Sequence, residues 1–251
     1  MGVDVIHYDG WTGLKLNRPE ARNALNAELL GVIATILNQL ATDHSCRAVV
    51  ITGAQGNFAA GADIGEIEHK TQAEAALDLR KKYWADIRAF PKPMIAAVDG
   101  FALGGGFELA LMADLLVLGS TARLGFPETS LGLIPGAGGG QRLMSLVGRR
   151  RANRQDLTGE IIEAVTAFHW GIGSHFTDGP AFPEAATLAD NIRKRAPLAM
   201  VAAKHALIEG CEANLALVSE RRSFEILMDS ADKSEGIAAF RAKRPPRFMG
   251  K

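Results

Sequence analysis

Pro93–Glu108 reads PMIAAVDGFALGGGFE, and the fold follows from how that stretch is read. The apolar and small residues ending at Val98, bounded by Pro93 and Gly100, fit a short buried strand. Asp99-Gly100 turns the chain, and Leu103-Gly104-Gly105-Gly106 leads into a predicted helix over Phe107–Met112. Glycines ahead of a helix let the backbone approach another group closely, and the first amides of a helix have no intrahelical partner. Such amides favour negative charge. Glu108 in that first turn would compete with a bound anion. It fits better where negative charge develops transiently on a substrate oxygen while Glu108 handles a proton. The plainer alternative is a glycine-rich connection with a dipole-matched surface glutamate.

Two loosely repeated units frame this stretch. Ala48–Gly53 (AVVITG) is followed by the loop Ala59–Asp63 (AAGAD), and Met94–Gly100 (MIAAVDG) by Leu103–Glu108 (LGGGFE). Successive strand, glycine loop and helix units suggest a coiled or layered α/β arrangement whose loops emerge on one side. Loops stacked in that way can each give one amide to the same atom; otherwise they are ordinary connections that never meet.

The chain opens with a predicted hairpin, Val3–Tyr8 and Leu14–Leu16, turned by Asp9-Gly10. Asn26 is a plausible N-cap for a helix with apolar positions at Leu29, Leu30, Ile33, Leu37 and Leu40. Ala73–Phe90 reads as one charged amphipathic helix stopped by Pro91 and Pro93, with Arg80-Lys81-Lys82 on a solvated face. Leu115–Leu118 reads as a short strand, then Ala122–Glu128, then a second glycine-rich loop, Leu131–Gln141. From Pro197 the pattern is helical: Leu198–Glu209 ending at Gly210, Glu212–Met228, and Ser234–Lys243. A boundary near 190–197 divides the chain into residues 1–195 and a helical tail, 196–251. That tail has more apolar surface than it can hide alone, so it is expected to pack on the core and on a neighbouring subunit.

Composition removes several function classes. The 251 residues can bury a sizeable core, and 28 basic against 28 acidic side chains give no bulk attraction to nucleic acid or anionic membrane. Cys46 and Cys211 form no metal spacing or disulfide framework, which fits a reduced, cytoplasmic setting. The start of the chain lacks a signal-peptide pattern, and no run approaches the roughly 18 apolar residues of a membrane span. The histidines show no HxxxH or HExxH spacing, so metal ligation is not expected. Neither GxSxG, nor the phosphate loop GxxxxGK[ST], nor GxGxxG occurs. Arg149–Arg151 with Arg154, and the basic stretch Arg241–Lys251, read as solvated helix ends or as phosphate contacts.

Phe58–Ile64 (FAAGADI), Gly104–Ala110 (GGGFELA), Phe126-Pro127-Glu128, Ile134–Gly139 (IPGAGG) and Glu235–Phe240 (EGIAAF) resemble the signatures of the enoyl-CoA hydratase/isomerase (crotonase) family, in family order along the whole chain. The resemblance implies an α/β spiral of ββα repeats, a C-terminal helical trimerisation region, and a homo-oligomer that is a trimer or a hexamer of two trimers. No separate cofactor is implied, because coenzyme A is part of the substrate. The catalytic positions it implies are the amides of Ala62 and Gly105 as an oxyanion hole, with Glu108 as water-activating base and Glu128 as acid. The implied path for substrate and coenzyme A runs by Arg22, Ala60, Gly61, Asp63, Ile64 and Gly136. Phe224 and Lys243 fall at tail positions that in relatives approach ligand held by an adjacent subunit.

Departures from the pattern are Gly140, where threonine is common, and the weak match over 159–183. Carrying both glutamates favours hydration over the double-bond shift of an isomerase. An RNA-binding member would need a basic helix face, whereas Ala73–Phe90 mixes acids with bases. The stretches Arg80–Phe90 and Phe224–Lys251 are most similar to members whose acyl chain ends in a carboxylate. A pocket for such a chain needs a cation or several donors at its far end, and Arg80, Lys81, Lys82 and Arg88 are the candidates.

Overall fold

The computed structural model describes residues 2–211, 221–222 and 224–247. Strands β1 (Val3–Tyr8) and β2 (Trp11–Leu16) form the expected hairpin, with Gly10 at φ +80° in the turn. The main sheet continues in parallel through β3 (Val49–Gly53), β4 (Met94–Val98), β6 (Leu115–Gly119) and β9 (His175–Thr177), in the order β1-β2-β3-β4-β6-β9. A second sheet holds β5 (Phe101–Leu103), β7 (Arg123–Gly125) and β8 (Ile162–Glu163).

Side chains of the main sheet alternate between two cores, as period-two geometry requires. Val49, Ile51, Met94, Ala96, Val98, Leu116 and Leu118 face one core, which helix α1 (Ala27–Thr42) covers with Leu29, Leu30, Ile33 and Leu37. Ala48, Val50, Ile95, Ala97 and Val117 face the other, under Ala181, Ala185 and Ala189 of α9 (Ala181–Ile192). Both faces are buried, which is why β3 and β4 read as continuous apolar runs. Asn26 caps α1 by accepting from the Leu29 amide at 2.8 Å.

The two repeated units are adjacent parallel strands, paired Val49 with Met94 and Val50 with Ile95. After β4 the chain turns at Gly100 into β5 of the second sheet and then into α5 (Gly105–Leu111). The first unit follows the same course, since Ala59 bridges Ala102 beside β5. Loops at equivalent points of successive units are thereby stacked.

Several elements differ from expectation. The helix expected over Ala73–Phe90 is two, α3 (Gln72–Ala76) and α4 (Arg80–Arg88), after a short α2 (Ile64–Ile67). Thr71 and Glu74 form a capping box that starts α3. Asp78 then accepts from the Arg80 amide at 2.9 Å and restarts the helix. Arg80 is buried rather than solvated, held at 2.6 Å by Asp78, whereas Lys81 and Lys82 stay exposed and pair with Glu225 and Asp86. Helices α6 (Gly139–Val147), α7 (Arg149–Thr158), α8 (Ala164–His169) and α9 occupy stretches with weak sequence signals.

In the tail, α10 (Pro197–Cys211) continues through Gly210, and its Lys204 donates to the Lys92 carbonyl at 2.9 Å while pairing with Asp114. Of the helix expected over 212–228, residues 212–220 and 223 lie outside the described residues, as do the side chain of Cys211 and residues 248–251. The last helix, α11, runs Ala231–Arg241 and packs on the turn that follows Glu128.

Candidate active site

The first amide candidate is set by a short parallel bridge. Leu25 donates to the Gly61 carbonyl at 2.8 Å and accepts from Asp63 at 3.0 Å. Ala62, between them, turns its own amide to the opposite side. Gly61 sits at φ +118°, a conformation open to glycine and costly for other residues. Asp63 is committed to structure: one oxygen caps α2 through Gly65 at 3.1 Å, and the other pairs with Arg18 at 3.1 Å. Ala60 donates to the Arg22 carbonyl at 3.0 Å, and the exposed Arg22 guanidinium lies 5.7 Å from the Phe101 ring centroid. Ile64 opens α2.

The second amide candidate follows a strained turn. Gly104 has φ +49° and ψ −125°, and its amide donates to Gly125 at 2.9 Å, locking the end of β5 to β7. Gly105 then starts α5, where its amide has no intrahelical acceptor. A methyl group built on Gly105 would lie 3.6 Å from the Ala62 nitrogen, 3.8 Å from the Trp84 ring and 3.9 Å from Leu25. The two loops therefore meet, and apolar side chains flank the meeting point.

Both glutamates lie on segments that adjoin this turn: Glu108 on the helix that Gly105 starts, and Glu128 over Gly104. Glu128 opens the short turn Glu128–Leu131, and its Oε1 lies over Gly104, 2.7 Å from where a methyl there would sit. Glu108, one turn into α5, is 4% exposed; its Oε1 accepts from the amides of Ala137 at 2.6 Å and Gly139 at 3.1 Å. Burial pushes the Glu108 carboxyl above the usual range, against those amides and the charge of Arg142, which lower it. A base held up in this way becomes effective nearer neutral pH.

The remaining candidates separate. Phe224 packs against its own chain's Gly136, 3.0 Å from a methyl built there, and Arg221 stacks 4.8 Å over the Phe224 ring. Lys243 lies exposed beyond α11 at φ +52°, and no described contact joins it to the other candidates.

Three residues near the site escaped sequence reasoning. Asn23, wholly buried at φ +59°, donates to the carbonyls of Ala54 (3.0 Å) and Asn57 (2.6 Å), tying down the loop that leads to Ala62. Asparagine tolerates that left-handed backbone, and this was the available signal. Trp84 of α4 packs against the main core, and its ring lies 3.8 Å from a methyl built on Gly105. Asp156 on α7 is pushed up to about 6, by burial and then by the charge of Glu108.

The sequence matches the family described as enoyl-CoA hydratase/isomerase over residues 8–251. It is 46% identical over 241 residues to the 2,3-dehydroadipyl-CoA hydratase of Escherichia coli (strain K12), covering 95% of this chain and 94% of that protein. It is 41% identical over 254 residues to a probable enoyl-CoA hydratase of Mycobacterium leprae, with 99% of each chain covered. Among solved structures, an enoyl-CoA hydratase/isomerase from Pseudoalteromonas atlantica superposes with a TM-score of 0.90 at 29% identity, covering 99% of this chain and 100% of that one. A carnitinyl-CoA hydratase from Mycobacterium avium gives 0.87 at 33% identity, covering 100% and 99%.

Proposed function

The chain belongs to the enoyl-CoA hydratase/isomerase family and is an enoyl-CoA hydratase, and from that premise we propose which residues do the work and on what substrate. Adding water across a 2,3-double bond conjugated to a thioester builds enolate charge on the carbonyl oxygen. The amides of Ala62 and Gly105 hold that charge, as preorganised donors do for other developing oxyanions. Glu108 takes a proton from the attacking water, whose oxygen bonds to C3. Glu128 delivers a proton to C2, giving the 3-hydroxyacyl-CoA. The observation that supports this assignment is the approach of Ala62 to Gly105, next to Gly104, over which the Glu128 carboxyl lies.

Coenzyme A, part of the substrate and so no separate cofactor, runs past Arg22, Ala60, Gly61, Asp63 and Ile64. Gly136 and Phe224 bound the acyl side, and Lys243 contacts phosphate from a neighbouring subunit. Residues 1–195 form the catalytic core and 196–251 the assembly region of a trimer or hexamer. No described helix is long and apolar enough to cross a membrane, and a cytoplasmic location completes the reading.

The proposed acyl substrate is 2,3-dehydroadipyl-CoA, the compound in the name of the Escherichia coli relative. Its distal carboxylate needs a donor. On α4, Arg80, Lys81 and Lys82 already hold Asp78, Glu225 and Asp86, so any of these three would have to exchange an internal partner for substrate. Kinetics on a panel of enoyl-CoA thioesters, with product analysis, tests the whole reading. The expected products are 3-hydroxyacyl thioesters, with kcat/KM for 2,3-dehydroadipyl-CoA at least comparable to that for crotonyl-CoA. Products with a shifted double bond would establish isomerisation instead, and a strong preference for crotonyl-CoA would remove the substrate proposal.

A further inference from the structure

The loop that holds Glu108 is Gly136-Ala137-Gly138-Gly139, three glycines in four residues. Glycine loses more backbone freedom on ordering than any other residue, so such a loop does not keep one shape by itself. Yet it aims two amides at a single oxygen, Glu108 Oε1: that of Ala137 at 2.6 Å and that of Gly139 at 3.1 Å. Proton transfer depends on such aim, and something outside the loop has to maintain it.

The glycines serve close approach rather than stiffness. Gly138 sits at φ +91°, and a methyl built on Gly139 would lie 2.5 Å from the Phe126 ring and 2.8 Å from the Glu108 Cγ. Gly139 opens α6, so its amide has no acceptor within the helix and is available to the carboxylate.

Arg142 supplies the restraint. It stands one turn into α6, half-buried, and its guanidinium reaches back to the loop, where Nη1 donates to the Ala137 carbonyl at 2.7 Å. Its backbone amide donates to the Gly138 carbonyl at 3.2 Å. One residue thus holds the carbonyls of 137 and 138, while the amides of 137 and 139 hold Glu108. The guanidinium bond is charge-assisted and among the stronger kinds of hydrogen bond. A cation this near a helix N-terminus stands against the macrodipole, and the contact with the Ala137 carbonyl offsets that. Its charge also favours the ionised form of Glu108, against the burial that raises the carboxyl.

We propose that Arg142 is a positioning residue for the water-activating step: by holding the Ala137 carbonyl it sets the two amides that fix Glu108 Oε1, and leaves Oε2 to take the proton. The inference rests on the reading of Glu108 as base, and the effect of Arg142 passes through that side chain.

A double-mutant cycle on crotonyl-CoA hydration tests it, with each protein first shown to have native dichroism and oligomer size. Arg142→Met should lower kcat roughly ten- to a hundredfold while KM stays within about twofold of wild type. Arg142→Lys keeps a cationic donor and should regain part of the loss. Made in Glu108→Gln, where no proton transfer is left to position, Arg142→Met should lower kcat further by less than about twofold. A residue that only supported the fold would cost the same in both backgrounds, so an equal loss in Glu108→Gln overturns the proposal. An unchanged kcat in Arg142→Met, a loss confined to KM, or a lysine variant as impaired as the methionine one overturns it too. Should Arg142→Met fail to fold, Arg142→Gln takes its place in the cycle with the same expectations, its side chain being too short to span the distance the guanidinium covers. The single variant Glu108→Gln separates the two readings. Full activity there would remove Glu108 as base and this role of Arg142 with it. Lost activity, together with an equal further loss from Arg142→Met, would sink the role of Arg142 alone.

Discussion

Asp78 and Arg80 form an ion pair inside the protein: Arg80 Nη2 lies 2.6 Å from Asp78 Oδ2, with side chains only 7% and 4% exposed. Lys70 joins at 2.5 Å, and Asp78 also caps the helix that Arg80 begins. Removing one member of a buried pair strands the other. Arg80→Met should therefore cost about 3 kcal/mol, the lower part of the range for such losses because Lys70 remains. The urea midpoint of the variant checks this. Its ratio of kcat/KM for 2,3-dehydroadipyl-CoA over crotonyl-CoA should stay at the wild-type value, since Arg80 serves the fold.

The same pair gives the protein an acid-sensitive element. Burial alone would raise the Asp78 carboxyl, but hydrogen bonds from Arg80 and Lys70 outweigh burial and hold it at about 2. A carboxyl depressed in the folded state contributes stability above its unfolded value near 3.8. That contribution, about 2 kcal/mol, is lost as pH falls from about 4 towards 2. Asp78→Asn should flatten the stability–pH curve in that window, measured by denaturant titration at several pH values.

For the proton-handling pair, Glu108→Gln or Glu128→Gln keeps shape and removes proton transfer. Each should lower kcat by roughly 10²–10⁴ while leaving the fold intact. The double variant should lose far less than the product of the single losses, because the two carboxyls act as a unit. Steady-state hydration rates with circular dichroism decide it, and near wild-type turnover in either single variant would remove that residue.

At the glycine turn, Gly105→Pro deletes the proposed donor and should cost about 10²–10³ in rate. Gly104→Ala acts differently. It forces a side chain into a φ of +49° and into Glu128, 2.7 Å away, so both stability and kcat should fall. Activity measured on protein of native dichroism and native oligomer size checks both variants.

Assembly is the remaining prediction. The tail from Pro197 should drive subunit contacts, so light scattering on the intact chain should give a multiple of three. A chain ended before Pro197 should be inactive, as an aggregate or a monomer. It would also lose Lys204, which reaches Asp114 and the Lys92 carbonyl. A stable, fully active monomer would contradict the assembly and the role given to Lys243.

What could be read beforehand follows the range over which each signal acts. The strands at 49–53 and 94–98 and the Asn26 cap are local patterns, and the structure has them within a residue or so. Glu108, Glu128 and the two glycine loops were marked by motifs. Helix α9 was not legible, because Ala181, Ala185 and Ala189 gain meaning only from the sheet face they cover. The break at Asp78 had a signal in the Thr71-Gln72-Ala73-Glu74 capping box, yet the burial of Arg80 depends on Asp78 and Glu66 being brought around it. Asp156 sits in an otherwise polar stretch, and only packing reveals that its oxygen is cut off from water.

The bridge between Leu25 and Ala62, and the contact of Ala62 with Gly105, join segments about forty positions apart in each case. Neither closure is rewarded by local hydrogen bonding, so each must follow the ordering of the intervening chain. Turnover should therefore be among the last properties to return during refolding. A chain stopped-flow-mixed out of denaturant would regain helical ellipticity well before it regained hydration activity, and the lag would measure when the last loop settles onto its neighbour.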